Sequence, residues 1–140
     1  TFSFAASKTM KAHLKIRFNQ YSQHLTEILL NIFRSKTLCD VRLIGEDDIP
    51  VDAHKVILAA SSPFFKDILK RNKHPHPLVY LRGVKARVLE AMLDFIYQGE
   101  ANIFEDQLDR FLALAEELEL KGFSGSTEEE APEDGQLDER

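Results

Sequence analysis

The chain has 140 residues, 44% of them hydrophobic with ten Phe, the profile of one globular domain large enough for its own core. Its formal net charge of −5 is local: residues 126–140 hold seven carboxylates against one arginine, leaving +1 over residues 1–125, which excludes a broad basic footprint for nucleic acid. The single cysteine, Cys39, excludes an internal disulfide framework and Cys-based zinc sites, and no apolar run is long enough to span a bilayer.

Residues 1–7 lack an initiator Met, a basic start and a long apolar stretch, so these residues are not expected to be a signal peptide. Residues 1–13 are expected to lie outside the fold, disordered or appended to the natural chain. Leu14, Ile16 and Phe18 then alternate with Lys15, Arg17 and Asn19, the period of a strand with one apolar face and no hairpin partner beside it. Ser22 to His24 lead into a helix with Leu25, Ile28, Leu29, Ile32 and Phe33 on one stripe and Leu30 on a second flank. These residues fit two arrangements equally, a wide core-facing stripe or an arm docked on another subunit.

Residues 39–69 are the densest stretch. Val41 and Leu43 alternate with Asp40 and Arg42, residues 45–48 turn, and Ile49, Val51 and Ala53 give a second strand, with Pro50 confined to an edge or a strand start. Residues 56–60 have no polar side chain at any phase, so a helix here is expected to be enclosed. Ser62 as N-cap and Pro63 at the first helical position restart a helix with Phe64, Phe65, Ile68 and Leu69 on its apolar face.

Residues 70–77 read as a polar loop in which Pro75 and Pro77 forbid a helix; His74 and His76, without a Cys or carboxylate beside them, read as solvated rather than as metal ligands. Residues 78–81 are expected to form a short buried strand ending at Gly83. A helix follows over 85–98, with Val88, Leu89, Met92, Phe95 and Ile96 inward and Gly99 as its left-handed cap. Residues 101–103 suit a minimal strand. The last helix starts at the acidic pair Glu105 and Asp106, turns Leu108, Phe111, Leu112, Ala115 and Leu118 inward and stops at Lys121-Gly122. Residues 125–140 have one large apolar side chain among many acids and are expected to be a disordered linker. The fold class is α+β, a small mixed sheet flanked by helices.

Leu38-Cys39-Asp40-Val41 together with Ala53-His54-Lys55-Val56-Ile57-Leu58-Ala59-Ala60-Ser61-Ser62-Pro63-Phe64-Phe65 resembles the signature of a BTB/POZ domain, a homodimerising protein-interaction module. By element order the resemblance covers residues 14–124. Arg17-Phe18-Asn19-Gln20, His76-Pro77, Asp94-Phe95-Ile96-Tyr97-Gln98-Gly99-Glu100 and Leu114-Ala115-Glu116-Glu117-Leu118-Glu119-Leu120-Lys121-Gly122 are most similar to the tramtrack-type subgroup, whose domains open arthropod zinc-finger or other DNA-binding transcription regulators.

The resemblance implies a nuclear module that forms a homodimer or higher oligomer and meets related BTB domains and transcriptional cofactors, with DNA-binding modules elsewhere in the protein. It implies an exchanged N-terminal strand and helix, hence an interface of Leu14, Ile16, Phe18, Leu25, Ile28, Leu29, Leu30, Ile32 and Phe33. It also implies a charged pocket of Asp40 and Lys55 near the dimer groove, for which a structural ion pair is the preferred reading of the residues themselves.

An enzyme is the reading from a different class. His54 with Asp52 or Asp40 could move protons, but no nucleophile elbow, phosphate-cradling glycine loop or metal-ligand set accompanies them, so neither catalysis nor a cofactor is expected. His54 reads instead as a satisfied core or turn histidine. The alternative within the resemblance is a substrate adaptor of a cullin-type ubiquitin ligase. Such adaptors carry a hydrophobic-x-Glu pattern where this chain runs Leu69-Lys70-Arg71-Asn72-Lys73, without a Glu.

Overall fold

Alternation from Leu14 to Phe18 does produce a strand, and it does not stand alone. Strand β1 (Phe2–Ala6) runs antiparallel to β2 (Leu14–Phe18), with Phe2 opposite Phe18 and Ala6 opposite Leu14. This corrects both the missing hairpin partner and the placing of every residue before 14 outside the fold. A strand leaves half its backbone groups unpaired until a second strand meets it, and Phe2 and Phe4, two residues apart, were the available signal. Helix α1 (Tyr21–Ser35) follows.

The computed structural model describes residues 12–123 in full and 2–6 as backbone. The chain divides into two compact units, one ending at Ser35 and one beginning at Lys36. The expected acidic linker falls on residues outside those described.

The larger unit is built on the predicted hairpin. β3 (Val41–Ile44) pairs antiparallel with β4 (Pro50–Ala53), and β5 (Leu78–Tyr80) joins β3 in parallel, giving a mixed sheet in the order β4-β3-β5. Pro50 sits at the start of an edge strand, where a missing N–H costs no ladder bond. Gly45 follows β3 because nothing larger fits: an added Cβ would lie 1.9 Å from the Val84 carbonyl oxygen, which accepts the Glu46 N–H at 2.8 Å.

Helices α2 (Lys55–Ser61) and α3 (Pro63–Arg71) meet at Ser62, which is fully buried. Its Oγ accepts the Phe65 N–H at 3.1 Å and donates to Leu118 O at 2.6 Å, so one hydroxyl caps α3 and ties it to the far end of the chain. α2 is not enclosed as expected. Leu58 is its buried residue and Val56 is 72% exposed, because a helix of two turns rests on the core by one side whatever its composition.

α4 (Ala86–Gln98) buries Val88, Leu89, Met92, Leu93 and Tyr97 and ends at Gly99 in the left-handed conformation, φ 88°. A 3₁₀ turn (Glu105–Gln107) leads into α5 (Leu108–Leu118).

Three further expectations are corrected. β5 ends at Tyr80 and is an edge strand with Leu78 and Tyr80 exposed, not a buried one, because among the described residues β3 is its only neighbour in the sheet. Residues 101–103 form no strand, having no described partner to pair with. The inner stripe of α5 is Phe111, Leu114, Ala115 and Leu118, while Leu108 and Leu112 are exposed. Leu112 lies about 100° around the helix from Phe111, off a stripe that the i, i+3, i+4, i+7 spacing centres on Phe111 and Leu118. That helix stops at Leu118, where Glu119 adopts the left-handed conformation (φ 55°) and its N–H closes on Ala115 O and Glu116 O.

A candidate interaction surface and a capped helix pair

In the N-terminal unit four of the nine apolar residues that the periodicity aligned are exposed and five are half-buried. Leu14 is 69% and Ile16 61% exposed, on the same face of β2. Leu25 and Ile28 on α1 are exposed, Leu29, Leu30, Ile32 and Phe33 are half-buried, and the helix has no fully buried residue. Phe18 is half-buried against its local neighbours, with the Tyr21 ring 5.8 Å and the His24 ring 5.0 Å from its own. Exposed aliphatic side chains on one face of a strand and along one stripe of a helix are of the kind that partners cover.

The predicted pair Asp40 and Lys55 is brought together, but not as an ion pair. Asp40 Oδ1 accepts the backbone N–H of Lys55 at 2.7 Å, while Lys55 Nζ donates to His74 O at 3.0 Å. Ion pairs form elsewhere, between Arg42 and Asp52 and between Arg71 and Asp67. The reason is position. Lys55 is the first residue of α2, and its N-cap, His54, gives no side-chain bond, so the nearest carboxylate satisfies the helix N–H and favours the positive end of the helix dipole.

α4 is treated the same way. Its N-cap Lys85 offers no side-chain bond, and both oxygens of Asp47 accept the Ala86 N–H, at 3.0 and 3.2 Å.

Beside Asp40 lies a buried polar cluster. His54 Nε2 is 2.6 Å from Thr37 O, which can only accept, so Nε2 carries the hydrogen. Nδ1 then accepts from the Tyr97 hydroxyl at 2.6 Å, and that oxygen accepts the His54 backbone N–H at 3.0 Å. Every partner is used, which is a structural role for His54 and leaves no base aimed at a substrate. Burial pushes the Tyr97 hydroxyl well above its ordinary pKa, while its bond from the His54 N–H acts the other way.

Cys39 Sγ sits 3.8 Å from His54 Nε2, half-buried, with its thiol pKa raised by burial. Tyr97 and Thr37 were not singled out from the sequence. For Tyr97 the signal was a tyrosine inside a long apolar helix stripe, whose hydroxyl must find a partner when buried.

Elsewhere, Asp52 is held below the ordinary carboxylate range by its hydrogen bond from Arg42. In the 70–77 loop the His76 N–H donates to His74 Nδ1 at 2.9 Å. Among the described residues no three His, Cys, Asp or Glu side chains cluster as metal ligands, and no helix is long and apolar enough to cross a membrane.

Comparison with known proteins decides the family. The BTB/POZ domain model matches residues 29–134. The chain belongs to the BTB/POZ family. Among its curated relatives from Drosophila melanogaster, the sex determination protein fruitless is 39% identical over 78% of this chain, longitudinals lacking protein (isoforms A/B/D/L) 38% over 78%, and bric-a-brac 2 34% over 78%. These relatives agree with the tramtrack-type resemblance. This BTB chain spans only 11%, 14% and 10% of their respective lengths.

Two solved BTB domains share the fold. The BTB domain of zebrafish PATZ1 has a TM-score of 0.64 at 21% identity, covering 82% of this chain and 89% of that one. That of human gigaxonin has a TM-score of 0.62 at 24% identity, covering 80% and 88%.

Proposed function

We propose that this BTB domain, a protein-interaction module, joins two or more copies of a nuclear transcription regulator whose DNA-binding modules lie elsewhere in the full protein. The observation that carries the reading is the uncovered apolar face of β2 and α1 in the N-terminal unit. Leaving Leu14, Ile16, Leu25 and Ile28 in water forfeits burial at about 25 cal/mol per Å² of apolar surface, which a second copy would recover. An exchanged arm of this kind belongs to the obligate class of interfaces, on the order of 2,000 Å² or more.

Joining copies would strengthen binding to clustered DNA sites by making later contacts local, about 10² to 10⁴-fold without any new base contact. The near-neutral charge of residues 1–125 supports an indirect part in DNA binding.

Light scattering on the whole chain tests the association. The wild type is expected at twice the chain mass or more. Ile28→Asp, at an exposed position of a helix with no buried residue, is expected to lower the mass by placing a charge inside the interface. A folded wild-type monomer at micromolar concentration would reject the reading.

A further inference from the structure

The outermost strand of a sheet presents one row of N–H and C=O groups without ladder partners, and proteins usually interrupt that row. The two margins of the sheet differ in this respect. On β4 the outward residues are Pro50, which has no N–H, and Asp52, whose carbonyl accepts Lys36 Nζ at 3.4 Å. On β5 the parallel ladder uses Pro77 O, which accepts the Arg42 N–H at 3.0 Å, and the Leu81 N–H, which donates to Ile44 O at 2.8 Å. This parity turns Val79 toward β3 and the N–H and C=O groups of Leu78 and Tyr80 outward. No described residue bonds to those four groups. Both side chains stand open as well, Leu78 59% and Tyr80 55% exposed.

The chain around this margin is basic. Residues 70–82 contain Lys70, Arg71, Lys73 and Arg82 and neither Asp nor Glu, within a chain of net charge −5. Lys55 is held at the same loop by its bond to His74 O. Asp67 neutralises Arg71 at 2.6 Å, and Asp40, whose carboxylate keeps its charge while accepting the Lys55 N–H, offsets Lys55, which leaves Lys70, Lys73 and Arg82 as the cations of this stretch.

We propose that the free margin of β5 takes up an extended acidic peptide from a partner protein as a fourth strand. Its backbone would bond to Leu78 and Tyr80, alternate apolar side chains would cover those two residues, and its carboxylates would face Lys70, Lys73 and Arg82. Charge complementarity selects this occupant. A second copy adding through its own β5 would bring two basic stretches together, and a nucleic acid has no backbone amides to continue the ladder. The proposal concerns the larger unit alone and is independent of self-association through β2 and α1, so either can fail without the other.

The test uses the full chain and a short fluorescent peptide of alternating Val and Glu, with fluorescence anisotropy for affinity and NMR for amide exchange. Binding in the micromolar range is expected, with the Leu78 and Tyr80 amides slowed and that of Val79 little changed. A Val-Lys peptide should not bind.

Tyr80→Pro removes an outward N–H and leaves the ladder to β3 intact, and Lys70→Glu with Lys73→Glu reverses exposed charges; each is expected to weaken binding about tenfold. Should Tyr80→Pro not fold, a peptide N-methylated at alternate residues gives the same reading on the wild type. Unchanged affinity with the N-methylated peptide or with the charge reversal overturns the proposal, as does tighter binding of duplex DNA than of the peptide. Leu78 and Tyr80 amides already slow in the free chain overturn it too. Slowing at every concentration would place the chain's own acidic tail on the margin, and slowing that grows with concentration would place a second copy there.

Discussion

Replacing Asp40 with Ala should destabilise the larger unit by about 2 kcal/mol, and replacing Lys55 with Met should cost less than about 0.5 kcal/mol. The asymmetry follows from which atoms meet. Asp40→Ala removes the acceptor of the first N–H of α2, a bond of 2.7 Å to a half-buried carboxylate, on a helix whose own N-cap contributes none. Loss of a helix cap costs about 1 kcal/mol and loss of a bond to a charged group about 1.5 to 3. These overlap, which places the sum near 2.

Asp40→Asn keeps the oxygen and loses only the charge at the helix start, about 0.5 kcal/mol. Lys55→Met forfeits one contact, from its ammonium to an exposed loop carbonyl. The double variant Asp40→Ala with Lys55→Met should therefore be additive within about 0.5 kcal/mol. Urea unfolding followed by circular dichroism measures all four variants, with unchanged m-values as the check on two-state behaviour. A Lys55→Met cost as large as that of Asp40→Ala, partly recovered in the double variant, would mean that charge pairing holds the site and would refute the capping argument.

Ser62→Ala should cost about 3 kcal/mol in the same assay, since it removes the cap on Phe65 N–H and also strands a buried Leu118 carbonyl. Gly45→Ala should lower the folded yield or cost about 3 kcal/mol or more, because its Cβ would overlap the Val84 carbonyl, backbone that cannot swing aside. Tyr97→Phe should lower stability at neutral pH by removing both bonds to His54. It should also flatten the alkaline limb: a hydroxyl whose folded pKa is raised contributes stability that is fully present below its unfolded pKa of about 10 and lost as pH rises above it. A wild-type curve as flat as that of the variant above pH 10 would contradict this.

What could be read from the sequence was what a short window contains. The β3–β4 hairpin with Pro50 at its edge, the Ser62-Pro63 restart and the Gly99 cap are each decided by residues within a few positions of one another, and the structure shows all three. The apolar stretches went less well. Residues 56–60 and 78–81 are equally greasy as strings, yet Val56, Leu78 and Tyr80 are exposed. Composition records that a side chain prefers burial, whereas the sheet order and the length of the helix decide whether anything is there to bury it. The phase of α5 was misplaced for a related reason, since six leucines and alanines in one helix allow more than one inner stripe until a neighbour selects it.

The candidate site shows the same limit more sharply, because its bonds join residues far apart in the chain. Asp40 and Lys55 were expected to meet as opposite charges, but the side chain of one meets the backbone of the other, and backbone groups carry no residue-specific signal in a sequence. The Asp47 bond to Ala86 is of the same kind across a longer separation. These two carboxylates flank β3, one before its first residue and one in the turn after it, and each satisfies the first N–H of a different helix. β3 is also the central strand, bonded to β4 on one side and β5 on the other. A single segment of eight residues, 40–47, thus fixes the sheet and the starting points of α2 and α4 together. A substitution at Asp40 or Asp47 would therefore loosen the attachment of a whole helix to the sheet and not only an isolated charge, while α1 and β2, which hold the proposed interface, belong to the other unit. Stability of the larger unit and self-association through the smaller one are thus expected to respond to different substitutions, which allows the two to be measured apart.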